Sequence, residues 1–209
     1  MRNSLIFICC YVVLMASCTS SNNKNEDTKD TIKSTTVIFP EDTRGISEVI
    51  TRFARAYLTQ DQEKANALIH PDLGLYIIYR PGVADTYQKV DSIDFNRPVP
   101  EYFPYTTFEN DYVLTFEKLP AFDCGEEKWD KLGFFCDTTS QAHQLTTIAT
   151  FDQEFNGVRD TDLAVIKQLE SDTFRIILTK DEHLIFHVKK YMNQWYVVVL
   201  DRAYAGCDA

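Results

Sequence analysis

The chain has 209 residues, with 31 acidic against 21 basic side chains and a net charge of −10. Such a balance excludes an electrostatic hold on nucleic acid or on an anionic membrane face, since both need an excess of lysine and arginine. The length allows one domain with a full core after an N-terminal leader, and 14 Phe with 11 Tyr supply rings for a core and a cavity.

The N-terminus opens with Arg2 and an apolar run from Leu5 to Met15, 11 residues long. A membrane-spanning helix needs roughly 18 or more, so the run reads as a secretory leader. Ala16 and Ser17 are small, and Cys18 follows at once. The junction Leu14-Met15-Ala16-Ser17-Cys18 resembles the lipobox of bacterial lipoproteins of the Bacteroidetes type. Met15 and Ser17 stand where Leu and Gly or Ala are usual. The resemblance implies that residues 1–17 are removed and that Cys18 carries the lipid. Thr19, rather than Asp, after the cysteine implies an outer-membrane destination. Residues 19–36 hold one isoleucine and no aromatic residue. Too little apolar surface is available there to offset ordering entropy, so 18–42 is expected to be a tether.

Past the tether, Ile46, Val49, Ile50, Phe53, Tyr57 and Leu58 fall on one face of an amphipathic helix. A second helix is expected from Asp61, whose carboxylate can cap it, to Pro71. Leu73 to Arg80 alternates as a strand until Pro81-Gly82. The stretch 83–140 reads as a long irregular insertion with one strand around Tyr112, Leu114 and Phe116. Gln141 to Asn156 predicts a helix, with Gly157 suited to its cap, and Leu163, Ile166 and Leu169 predict another. Thr173–Thr179, His183–Tyr191 and Trp195–Ala203 then read as three consecutive antiparallel strands with a turn at Asn193-Gln194.

Cys9 and Cys10 would leave with the leader and Cys18 is assigned to lipid, so Cys124, Cys136 and Cys207 remain. Export favours one disulfide among them, and three pairings are open. Cys124 with Cys136 is the most local pair, and closing that loop would contribute about 3 kcal/mol. A zinc site through Cys124, Cys136 and His143 lacks the tight spacing that such sites use, so no metal and no cofactor is expected.

Two helices, a strand, more helix and a final meander ending in Gln-Trp-Tyr-Val-Val-Val-Leu-Asp resemble the NTF2-like (cystatin-like) α+β domains. The resemblance covers about 44–80 and 143–203. It implies a curved antiparallel sheet of 173–203 with the 73–80 strand, shaped as a cone, with the 46–58 helix on its concave side. It also implies that the cone can hold a small molecule, and that some relatives use a His–Asp pair.

Candidate pocket residues are Tyr76, Tyr79, Arg80, His187, Tyr191, Trp195 and Asp201. His70-Pro71-Asp72 could form an acid–base pair, but a helix-end histidine meeting free carbonyls is the preferred reading. His187 and Asp201 would need diagonal reach to form a dyad; the alternative is an exposed histidine and a strand-end carboxylate. Arg80 could hold an anion. Trp129, beside Phe134 and Phe135, could be a contact surface or seal a cysteine loop. No histidine spacing forces an acid–base site together, whereas rings beside strands suit a cavity. The sequence therefore favours an envelope lipoprotein that binds a small ligand or an envelope protein. An isomerase, dehydratase or hydrolase of NTF2-like type is the alternative.

Overall fold

A computed structural model describes residues 40–156 and 160–203. The chain is an α+β domain built on a mixed seven-stranded sheet with helices on both faces. Helix α1 (Pro40–Leu58) opens the described chain and starts inside the stretch expected as tether. Helix α2 (Gln62–Asn66) follows, capped as predicted by Asp61, whose carboxylate accepts from the Lys64 N–H at 3.1 Å. Strands β1 (Leu75–Tyr79) and β2 (Thr86–Val90) form a hairpin. The third strand, β3 (Leu114–Phe116), lies far along at the opposite edge of the sheet. A small separate hairpin, β4 (Phe122–Asp123) with β5 (Lys128–Trp129), comes next. Strand β6 (Gly133–Asp137), helices α3 (Gln144–Asn156) and α4 (Asp160–Glu170), and strands β7 (Thr173–Thr179), β8 (His183–Tyr191) and β9 (Gln194–Asp201) complete it.

The sheet runs β2-β1-β9-β8-β7-β6-β3. Its pairs are antiparallel except β1 with β9 and β3 with β6, which are parallel. On one face Ile46, Ile50, Phe53 and Tyr57 of α1 meet Leu75, Ile77, Ile176, Phe186 and Val197. Phe53 is fully buried, with its ring centroid 4.9 Å from that of Phe186. Trp195 packs here too, 3.1 Å from where a Cβ on Gly45 would stand, so a larger residue at that helix position would press on the indole. On the other face Leu145, Ile148, Leu163, Ile166 and Leu169 of α3 and α4 cover Tyr76, Ile78, Val198 and Val199. Burial from both sides explains why β1 and the end of β9 read as unbroken apolar runs.

The turn between β8 and β9 is Met192-Asn193, both with positive φ, one residue earlier than expected. Val188 pairs with Val197 and His187 with Val199, which leaves Val198 as the extra residue of a β-bulge. A bulge turns every later side chain to the opposite face. Without it Asp201 would stand opposite Leu184 and point toward α1. With it Asp201 pairs with Ile185 and joins the face that carries His183 and His187.

The stretch 83–140 is irregular over 91–113, where no helix or strand forms, but it holds more strands than the one expected at Leu114 and Phe116. It supplies β2, both strands of the small hairpin, β3 and β6, and β6 is buried along its whole length. The preferred disulfide is overturned as well. Cys136 lies in β6 as a buried free thiol, and Cys124 is disulfide-bonded to a different cysteine. Burial, reinforced by Asp137, pushes the Cys136 thiol pKa up to about 12. Cys9, Cys10, Cys18, Cys207 and Gly157 lie outside the described residues. Among the described residues no helix is long and apolar enough to cross a membrane.

Candidate functional site

Antiparallel pairing puts the end of β9 beside the start of β8, and a cavity of about 610 Å³ opens there. Its walls come from the β7–β8 turn, the β4–β5 hairpin and the loop around Phe103 and Thr106. The hairpin is a built element despite its size. Asp123 accepts from the Gly125 and Glu126 N–H groups at 2.8 and 3.1 Å, and Asp130 accepts from Ala121 N–H at 2.9 Å. Its product is Trp129, whose ring meets Phe122 edge-on at 5.2 Å and His183 at 5.8 Å.

His183 and Asp201 both line this cavity. Burial lowers the His183 pKa below its ordinary 6.5, with Arg175 adding to the effect and Asp201 and Glu182 opposing it. The imidazole is therefore neutral at pH 7. Asp201 has a side chain only 6% exposed. Burial raises its pKa above 3.8 against the pull of Arg175, which donates from Nη2 at 2.7 Å, and of the Ala203 N–H at 3.1 Å. The same carboxylate also reaches a smaller cavity of about 260 Å³, lined by Asp85, His143, Thr147 and Arg175. Asp201 thus stands between two voids at the sheet end.

Arg202, the next residue, points the other way and fixes the loop that walls the cavity. Its guanidinium donates to the carbonyls of Val99, Phe103 and Pro104 and lies over the rings of Phe103 (4.5 Å) and Tyr105 (4.4 Å). Burial lowers its pKa despite the nearby Tyr57 and Tyr105. Lys180 is occupied by Asp111 at 3.1 Å and by the Glu109 carbonyl at 3.0 Å.

Of the residues expected to share a pocket, only Asp201 lies on this cavity. Tyr76 is buried under α3, beside Tyr87, with Lys89 over its ring. Tyr79 ends β1 in a half-buried position. Arg80 is no free anion site, since its Nε donates to Asp85 at 2.6 Å. Tyr191 packs on His70, which Tyr196 flanks from the other side, each pair of centroids 4.9 Å apart. The His70 Nδ1 accepts from the Asp72 N–H at 3.1 Å and lies 3.8 Å from Asp72 Oδ2. Four residues past the end of α2, the ring thus holds a turn by accepting an N–H and does not meet helix-end carbonyls as expected. Trp195 sits at the far end of β9, against α1 and Phe174, on a separate void of about 310 Å³.

His187 is not exposed, as one reading of the sequence had it. It is fully buried, its Nδ1 lies 4.0 Å from Glu170 Oε1, and neither ring nitrogen has a hydrogen-bond partner. It forms no dyad with Asp201, whose partner is Arg175. Sequence reasoning passed over His183, Trp129 as its neighbour, and Arg175. The available signal was the period-2 spacing of His183, Ile185 and His187, which puts both histidines on one face. No group of three His, Cys, Asp or Glu side chains among the described residues is arranged to hold a metal.

Compared with known proteins, the chain matches no family model, no curated protein and no solved structure.

Proposed function

We propose that the protein is a lipoprotein of the bacterial envelope, anchored through Cys18, whose α+β domain binds a ligand in the cavity beneath Trp129. The observation that supports this is the meeting of an aromatic wall with a buried carboxylate and a neutral histidine in about 610 Å³ of space. Ligand sites combine apolar walls with a few convergent polar groups, and a volume of this order suits a small molecule or a side chain. The kinship with NTF2-like domains belongs to the same reading. The order α1, α2, β1 and then a terminal meander speaks for it, while α3 and α4 on the second face are an addition to that plan.

A fragment library soaked into crystals of the protein tests the site. Fragments should gather against Trp129 and His183 and be lost in Trp129→Ala, while Trp195→Phe leaves them in place. Fragments that collect elsewhere, or that bind Trp129→Ala equally well, would overturn the assignment.

A second reading, acid–base catalysis, is favoured by one observation. Burial moves His183 and Asp201 in the directions that keep the imidazole unprotonated and make the carboxyl a weaker acid. Turnover lost in His183→Gln with the fold intact would decide for it.

A further inference from the structure

We infer that acid lifts the start of α3 off the sheet, with His187 as the sensor and Glu170 as the clasp that gives way. Two fully buried groups meet at this point. His187 has no exposed surface, and neither of its ring nitrogens has a hydrogen-bond partner among the described residues. Glu170, only 2% exposed, reaches it from the end of α4, with Oε1 4.0 Å from His187 Nδ1. The same carboxylate holds α3 closed, since Oε1 accepts from the Leu145 N–H and Oε2 from the Thr146 N–H. The group that fastens α3 is therefore the one that a charged imidazole would draw to itself.

The surroundings leave a proton on His187 few other counterions. From β7, Arg175 pairs with His187 across the sheet, and its own carboxylate is Asp201 at the end of β9. Directly opposite on β9 stands Val199. Along β8 the same face carries His183 and Lys189, and Lys189 donates to the Gln168 and Ser171 carbonyls at the end of α4. The inward residues of α3, Leu145, Ile148 and Ala149, are apolar, and His143 stands just before them on the smaller cavity. An imidazolium here meets Arg175 and Lys189 as like charges and Glu170 as the nearest free-standing carboxylate. A charge-assisted hydrogen bond needs roughly 2.7–2.9 Å, closer than the 4.0 Å of the closed layer. A charge without that bond, or without water, is costly in a fully buried site. Raising the start of α3 supplies both, because it frees Glu170 to follow the ring and lets solvent in. Gln144 and Thr147 also wall the smaller cavity, so the same movement opens a way to Arg175 and Asp201.

Hydrogen exchange of the full-length protein at pH 7.5 and pH 5.0 tests this, with the His187 ring titrated by NMR over the same range. Protection factors remove the ordinary pH dependence of exchange. Those over 144–150 should fall about 30-fold, as expected where the open form takes a proton near pH 6.5 and the closed form does not. Protection of α1 should hold. His187→Leu and His187→Gln should each abolish the fall. Equal losses in α1 would be general acid unfolding and would overturn the inference. A fall that persists in either variant would place the sensor elsewhere and would also overturn it. If neither variant folds, the wild-type protein still decides. Ring protonation should then track the loss of protection over 144–150, and a ring that titrates while α3 stays protected would sink the idea.

Discussion

His187 sits in the sheet with no hydrogen bond to either ring nitrogen and the Glu170 carboxylate 4.0 Å away. Burial, with Arg175 as the lesser cause, holds its pKa well below 6.5. An unfolded chain would take up a proton near pH 6.5 that the folded chain refuses. The sign follows from that. Stability is fully present above about pH 6.5 and falls as the pH drops toward the folded pKa, by up to about 1.4 kcal/mol per pH unit. Asp201, whose folded pKa is raised, works in the opposite sense and favours the folded chain at low pH. Comparing the protein with His187→Leu removes that common background. Denaturant midpoints measured from pH 7.5 to 5 should fall less steeply in His187→Leu. Parallel slopes would mean that His187 keeps its proton in the folded chain. At this scale the sequence was least informative, because a histidine in an alternating strand looks the same whether its face meets water or two helices. Only the α3–α4 pair, distant in the chain, decides it.

Strands β7 to β9 were legible because three apolar runs of matching period are separated by short polar turns, and nothing in them competes with pairing. Strand β6 was not, since Gly133-Phe134-Phe135-Cys136-Asp137 is apolar on both faces and shows no alternation to mark it. Strand β2 was missed for the opposite reason. Thr86 to Val90 is a half-exposed edge strand with little apolar surface to reveal it. The bulge in β9 carries no local signal at all, yet it decides which face Asp201 joins and therefore whether the cavity has its carboxylate. Helices α3 and α4 were expected separately, but the sequence did not show what joins them. Glu170 at the end of α4 accepts from Leu145 N–H at 3.0 Å and Thr146 N–H at 2.7 Å, the free donors at the start of α3. Glu170→Ala leaves those donors buried without partners and should cost about 1–3 kcal/mol. The loss should concentrate in faster amide exchange over 144–150, with α1 protected as before. Uniform loss across both helices and α1 would show that Glu170 serves the whole core instead of this joint.

The whole molecule makes the two ends of the proposal separable. The described sheet, helices and cavity are all built from residues 40–203. Attachment would then be a property of the leader and Cys18 alone. Several features of the sequence support that division. The apolar run is too short to span a membrane, and small residues lead directly into the cysteine. The acidic surface gives the domain no electrostatic affinity for anionic lipid, so a covalent chain would have to supply the hold. Cells expressing the protein and fed an alkyne fatty acid should label it, and Cys18→Ala should lose the label and leave the membrane fraction. The same variant, purified, should keep the thermal midpoint and the ligand behaviour of the lipidated form. Label retained in Cys18→Ala would assign the lipid to another residue, and a lowered midpoint would mean that the N-terminal segment is part of the fold.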